Sequence, residues 1–245
     1  MAETRGSVRV GTSGWHYDHW AGVFYPEGLA EARRLEHYAT VFDLVEANST
    51  FYRLPPESTL AGWRDAVPDG FCFAVKASRY LTHMKKLKDP EEPLRRFLDR
   101  VETLGDRLGP ILFQLPPEWK PNVERLGAFL ERLPRRHRYA FELRDERWHE
   151  DAVLDTLRRH DAAFCIFDLA GATSDNHVTA DMVYLRLHGP SEERYASSYS
   201  DADLDGWAER IAAWRDAGRD VVVAFDNDQA GNAPRDARRL LGRVR

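Results

Sequence analysis

Eight short apolar runs recur along the chain: Val8–Gly11, Phe42–Ala47, Phe71–Lys76, Ile111–Leu115, Tyr139–Leu143, Ala163–Asp168, Met182–Leu187 and Val221–Phe225. Most are nearly continuous in apolar residues, as expected of parallel strands buried on both faces. Helical periodicity fills the intervals at Glu31–Thr40, Ser58–Val67, Glu91–Leu104, Asn122–Leu133, Ala152–His160, Asp203–Ala217 and Arg235–Leu240. Asp89-Pro90 supplies a cap and a first-turn proline to the third of these. Strand and helix alternating in this way predict a single TIM-like (β/α)8 barrel over residues 1–245. An open doubly wound sheet is the alternative, but the regularity of the units favours closure. Leu169–Asp181 is too short and too polar for a full crossover helix, so the helix after the sixth strand is expected to be reduced or missing.

The ends of the runs carry the polar chemistry. Ala74 and Lys76 share a face, as do Ala140, Glu142 and Arg144, and Tyr184, Arg186 and His188. Their neighbours Val75, Phe141, Leu143, Val183, Leu185 and Leu187 are apolar and suit the layer beneath the helices. The charged face is therefore expected inside the barrel, at the carboxyl ends of the strands, where such folds place their active sites. Glu46, Glu142, Asp168 and His188 are the candidate catalytic residues. Ser13, Asn48, Lys76, Arg79, Gln114, Arg144, Arg186, Asn227 and Asp228 are candidate binding residues at the same ends. Burying these charges is costly unless they pair, so the same set reads either as a self-neutralising plug or as a site that keeps both signs.

Three chemistries fit the inventory. Lys76, Arg144 and Arg186 can grip an anion while Glu142 or Glu46 moves a proton. Glu46, Glu142, Asp168 and His188 can be arranged around a divalent metal for phosphoester hydrolysis, although Lys76 and Arg186 would repel it. Glu46 and Glu142 with an aromatic platform can also serve glycosidase- or sugar-isomerase-like acid/base work. The expectation is an enzyme acting on phosphate-bearing substrates, with no cofactor and no resident metal. A non-catalytic nucleotide or nucleic-acid binding protein is the rival reading.

Trp15, Tyr17 and Trp20 follow the Gly11-Thr12-Ser13-Gly14 turn, with two histidines among them. They read as a hydrophobic plug or as a stacking platform over the pocket. Ser13 does not sit in a Gly-x-Ser-x-Gly elbow, and suits a turn or a phosphate contact. Lys85-Lys86-Leu87-Lys88 forms a basic loop after the third run. Lysines near aromatics suit single-stranded nucleic acid, so the expected partner is an anionic small molecule or a single strand. Paired arginines such as Arg158-Arg159 read as a solvated helical rim.

Composition narrows this only slightly. With 245 residues, 43% of them hydrophobic, the chain can build one substantial core. A net charge of -5 gives no sign of a globally basic nucleic-acid binder and leaves only a local patch. Cys72 and Cys165 sit in apolar runs and read as buried thiols in a reducing compartment. Residues Met1 to Ser7 are polar, and no run approaches the roughly 18 apolar residues of a membrane span, so a cytoplasmic location away from membranes is expected.

Several blocks together resemble one family. They are Gly11-Thr12-Ser13-Gly14-Trp15, Phe24-Tyr25-Pro26, Glu46-Ala47-Asn48-Ser49-Thr50-Phe51-Tyr52, Phe73-Ala74-Val75-Lys76 with Thr82-His83, Phe113-Gln114-Leu115-Pro116-Pro117, Phe141-Glu142-Leu143-Arg144 and Leu187-His188-Gly189-Pro190. In this order they resemble the YecE-like family, also called domain of unknown function 72. The resemblance implies a TIM-barrel-like fold and little about chemistry. The sequence departs from the family pattern at Asp145, where histidine is common, and at Asp226 and Asp236, where asparagine is.

Overall fold

The computed structural model describes residues 5–245. Each apolar run forms a strand: Val8–Ser13, Leu44–Ala47, Cys72–Lys76, Leu108–Gln114, Tyr139–Glu142, Ala162–Leu169, Met182–Leu187 and Asp220–Phe225. Neighbours in sequence pair in parallel, and the first strand pairs with the eighth, Val8 opposite Val221. The sheet therefore closes into the expected barrel. The first strand runs on through Ser13, which stays in register with Glu46 of the second. The fourth strand starts at Leu108, ahead of the expected Ile111, because Gly109 lets it lie against the third. A Cβ on Gly109 would meet Cys72 Sγ at 2.2 Å. Gly11 has the same role between the first two strands, where a Cβ would meet the Leu44 carbonyl oxygen at 2.0 Å.

Helices Arg34–Ala39, Glu57–Asp65, Glu91–Val101, Val123–Leu130, Asp151–Arg159, Asp201–Asp216 and Asn232–Val244 surround the strands. The last begins three residues before the expected Arg235, with Pro234 tolerated in its first turn. Between the sixth and seventh strands, the described residues form no helix. Ala172–Thr173 folds back antiparallel on Leu169 and Asp168. The loop is then tied to the strand by hydroxyls: Thr179 Oγ1 accepts from Phe164 N and donates to the Ala162 carbonyl, each at 2.7 Å, and Ser174 Oγ accepts from Phe167 N at 2.9 Å.

The two faces of the strands separate as their alternation predicts. Val75, Phe141, Leu143, Val183, Leu185 and Leu187 pack under the helices. Leu44, Ala74, Leu112, Ala140, Cys165 and Tyr184 fill the barrel interior. Cys72 and Cys165 are free thiols. Among the described residues, no helix is long and apolar enough to cross a membrane.

Candidate functional site

Above the apolar interior layer, the inward positions turn ionic. Arg186 is fully buried and binds three carboxylates. Its Nε and Nη2 donate to the two oxygens of Glu46 at 3.0 and 2.7 Å. Its Nη1 donates to Glu142 Oε2 at 2.5 Å, and Nη2 also reaches Asp226 Oδ2 at 3.0 Å. Glu46 further accepts from Ser13 Oγ at 2.6 Å and from the Tyr184 hydroxyl at 2.8 Å. Arg144 Nε donates to the other oxygen of Glu142. Burial alone would raise the Glu142 carboxyl, but the Arg186 and Arg144 guanidiniums outweigh it and hold it well below 4.5. Burial pushes Asp226 up as well, and Arg186 followed by His188 pulls it below its ordinary value. Burial and then Arg186 lower His188 below its ordinary value, against the pull of Asp226, whose Oδ2 lies 3.0 Å from Nδ1 but is poorly aligned for a hydrogen bond.

A cleft of about 660 Å³ opens over this cluster at the carboxyl ends of the strands. Lys76, Arg79, His83 and Arg144 line it, facing Asp226 and Asp228. Among the described residues, no carboxylate oxygen lies within 4.0 Å of the Lys76 or Arg79 side-chain nitrogens. Lys76 Nζ sits 4.6 Å from the centre of the Phe51 ring. Burial, then the charge of Arg186, lowers its ammonium to about 8. His83 is pushed down to about 4 by burial and then by Lys76. It rides on a π-turn, Tyr80–Met84, closed by Lys85 N donating to the Tyr80 carbonyl at 2.9 Å. Such turns are rare and recur at functional positions. On the far wall, burial raises Asp228 to about 6, against the stabilising bonds from Trp20 Nε1 at 2.6 Å and His19 Nε2 at 3.0 Å.

The structure thus brings together Ser13, Glu46, Glu142, Arg186 and His188 in the buried cluster. Tyr17, Asn48, Lys76, Arg79, Gln114, Arg144 and Asp228 line the cleft. Four expected site residues lie elsewhere. Asp168 is one position past the inward Phe167, so its carboxylate faces the helices, where Tyr199 bonds it. Asn227 also points outward, donating to the Ser197 carbonyl and to Asp236. Trp15 is only 3% exposed and packs edge-on against Trp63, 4.9 Å between centroids. Trp20 is fully buried, and of its surface only Nε1 serves the site, through Asp228. The two indoles are therefore a plug and not a platform. Asp226 and His83 also belong to this site, although neither stood among the candidate site residues. Strand alternation from Ala224 would have placed Asp226 inward, whereas the π-turn that delivers His83 leaves no periodic signal.

Among the described residues, no group of three or more His, Cys, Asp and Glu side chains has the geometry to hold a metal ion. Arg186 occupies the position between the carboxylates that a cation would need.

Residues 9–245 match the family described as "Protein of unknown function DUF72". The UPF0759 protein YecE of Escherichia coli (strain K12) is 30% identical over 138 residues, which cover 56% of this chain and 48% of YecE. The chain thus spans about half the length of that curated relative. The UPF0759 protein YunF of Bacillus subtilis (strain 168) is 22% identical, over 96% of this chain and 93% of its own length. A crystal structure of a DUF72 family protein from Thermotoga maritima MSB8 superposes with a TM-score of 0.87 at 30% identity, covering 96% of this chain and 98% of that one.

Proposed function

Because this chain belongs to the DUF72 family, whose description assigns no reaction, the chemistry must be argued from the cleft, and we propose that the protein is an enzyme acting on a phosphate-bearing substrate. One observation carries the reading: Lys76 and Arg79 face the cleft with no carboxylate of the described residues within 4.0 Å, over a cluster whose other charges are paired. An anion entering there gains charge-assisted hydrogen bonds without breaking an ion pair at those two residues. Arg144 turns one edge to Glu142 and its Nη1 toward the Tyr195 hydroxyl at 3.4 Å, which leaves it available to a second oxygen.

Asp228 is the group suited to move a proton, since its carboxyl is poised near neutral pH on the opposite wall. In hydrolysis of a phosphate ester, water attacks phosphorus and gives its proton to the Asp228 carboxylate. The bond to the leaving oxygen breaks, and that oxygen takes the proton from Asp228. Glu46 and Glu142 take no proton in this scheme. Arg186 holds both, and they fix the floor of the cleft. That saturation disfavours the glycosidase reading, which needs two free facing carboxylates.

The same saturation favours a second reading, a binding protein without turnover. Calorimetric titration with inorganic phosphate tests binding, and hydrolysis of p-nitrophenyl phosphate and bis(p-nitrophenyl) phosphate tests turnover. The enzyme reading expects phosphate to bind and at least one ester to be cleaved, with cleavage lost in Asp228→Asn. Binding with no cleavage of either ester leaves the binding protein. Absence of phosphate binding overturns both.

A further inference from the structure

The large apolar side chains that stand exposed among the described residues are Val23, Tyr52, Tyr80, Met84 and Tyr195. Tyr52, Tyr80, Met84 and Tyr195 lie in the segments that follow the carboxyl ends of the second, third and seventh strands, around the cleft, whereas Val23 sits apart beside Pro26 and His37. Tyr52 and Tyr195 line the cleft itself, and Tyr80 and Met84 stand on the turn that delivers Arg79 and His83 to it. Tyr52 is 79% exposed and Met84 71%. Single exposed apolar residues are ordinary, but their concentration on one rim marks an interaction surface. Tyr195 adds a strained backbone, with φ at 66°, a region bulky aromatics seldom occupy. Hydrogen bonds from Tyr195 N to the His188 carbonyl and from Gln229 N to the Tyr195 carbonyl hold it there.

Positive charge continues past these rings. Lys85 and Lys86 follow Met84 directly, and Lys85 Nζ lies 5.9 Å from the Tyr80 ring centre. Its carboxylate partner, Asp89, is exposed and 4.0 Å away, an ion pair worth little in water. A lone phosphate needs only Lys76 and Arg79. Rings and lysines outside the cleft fit a ligand that repeats flat and anionic groups along its length.

Resting on the phosphate reading above, we infer that the ligand is single-stranded nucleic acid. One backbone phosphate sits at Lys76 and Arg79, unpaired bases stack on Tyr52 and Tyr80, and a neighbouring phosphate meets Lys85 and Lys86. A duplex keeps its base faces covered, so it cannot use the rings. With a net charge of -5, affinity has to come from this patch and should fall steeply with salt.

Fluorescence anisotropy with a labelled oligothymidylate of about eight nucleotides tests this, a length within the usual site size for such surfaces. Competition by inorganic phosphate, thymidine monophosphate and a duplex of the same length completes the set. The single strand is expected to bind roughly tenfold or more tighter than the mononucleotide. Tyr80→Ala/Met84→Ala should lose about that factor for the strand and leave phosphate binding unchanged. Lys76→Met should weaken both. If phosphate and mononucleotide bind but the strand gains nothing, or the duplex binds as well, the inference falls and the phosphate reading stands. If phosphate itself does not bind, the phosphate reading falls with it.

Discussion

The buried cluster around Arg186 and the cleft above it are both built from charged side chains at the carboxyl ends of the strands, yet they behave as opposites. In the cluster, every guanidinium edge has a carboxylate and Glu46 has two further donors. In the cleft, no carboxylate among the described residues lies within 4.0 Å of Lys76 or Arg79, and the Asp228 carboxyl is raised to about 6. The difference lies in depth. One layer down, full burial makes an unpaired charge too costly, so each is matched. At the mouth Lys76 and Asp228 are still partly desolvated, which shifts both toward their uncharged forms, but contact with the open cleft leaves that cost bearable. Plug and site, alternatives when only the sequence is read, are consecutive layers of one barrel.

Breaking the cluster should have the largest effect. Arg186→Met leaves Glu46 and Glu142 buried without their guanidinium, which should cost roughly 3–5 kcal/mol in urea denaturation. The pH dependence should change as well. Glu142 and Asp226 are held below their ordinary values, so in wild type they add stability that is present above pH 4.5 and 3.8 and lost as pH falls through the depressed values. In the variant that contribution should vanish or reverse.

Next comes proton transfer at the mouth. Asp228→Asn should lower kcat by about 10²–10⁴-fold while the phosphate affinity stays within a few-fold. In wild type, the rate should follow a group titrating near 6, read from a pH profile with the cleaved ester.

Asp168→Asn should have the smallest effect. Burial raises the Asp168 carboxyl, so its contribution to stability is greatest below pH 3.8 and is lost as pH rises. At pH 7 the amide variant should match wild type within about 0.5 kcal/mol, or exceed it, with unchanged phosphate binding. A clear loss of binding would place Asp168 back in the site.

The barrel was legible in the sequence because its strands are apolar on both faces and its inward charges alternate with them. The missing sixth helix was legible in the polarity of Leu169–Asp181. The site was legible where alternation has contrast, as at Tyr184, Arg186 and His188. It was not legible at Asp168, because Ala163–Phe167 is apolar at every position and parity cannot be read from it. The aromatic cluster misled for a different reason. Composition cannot tell a loop that covers a pocket from one that folds down beside Trp63. The exposed rings at Tyr52 and Tyr80 come from short turns that tertiary context sets.

The central claim is that Lys76, a cation without a carboxylate partner among the described residues, is kept for a ligand. Thermal denaturation of wild type and Lys76→Met at pH 7, across a phosphate titration, tests it most directly. Burial and Arg186 lower the Lys76 ammonium to about 8, so its charge is a burden to the fold below that pH and is relieved as pH rises through it. Lys76→Met should therefore keep or raise the midpoint without phosphate. Wild type should gain stability with phosphate, about 2.7 kcal/mol at a hundredfold excess over Kd, and lose that gain above about pH 8. The variant should show less than a tenth of the affinity. A variant that is strongly destabilised on its own, yet responds to phosphate as wild type does, would mean that Lys76 belongs to the plug, and it would contradict the account.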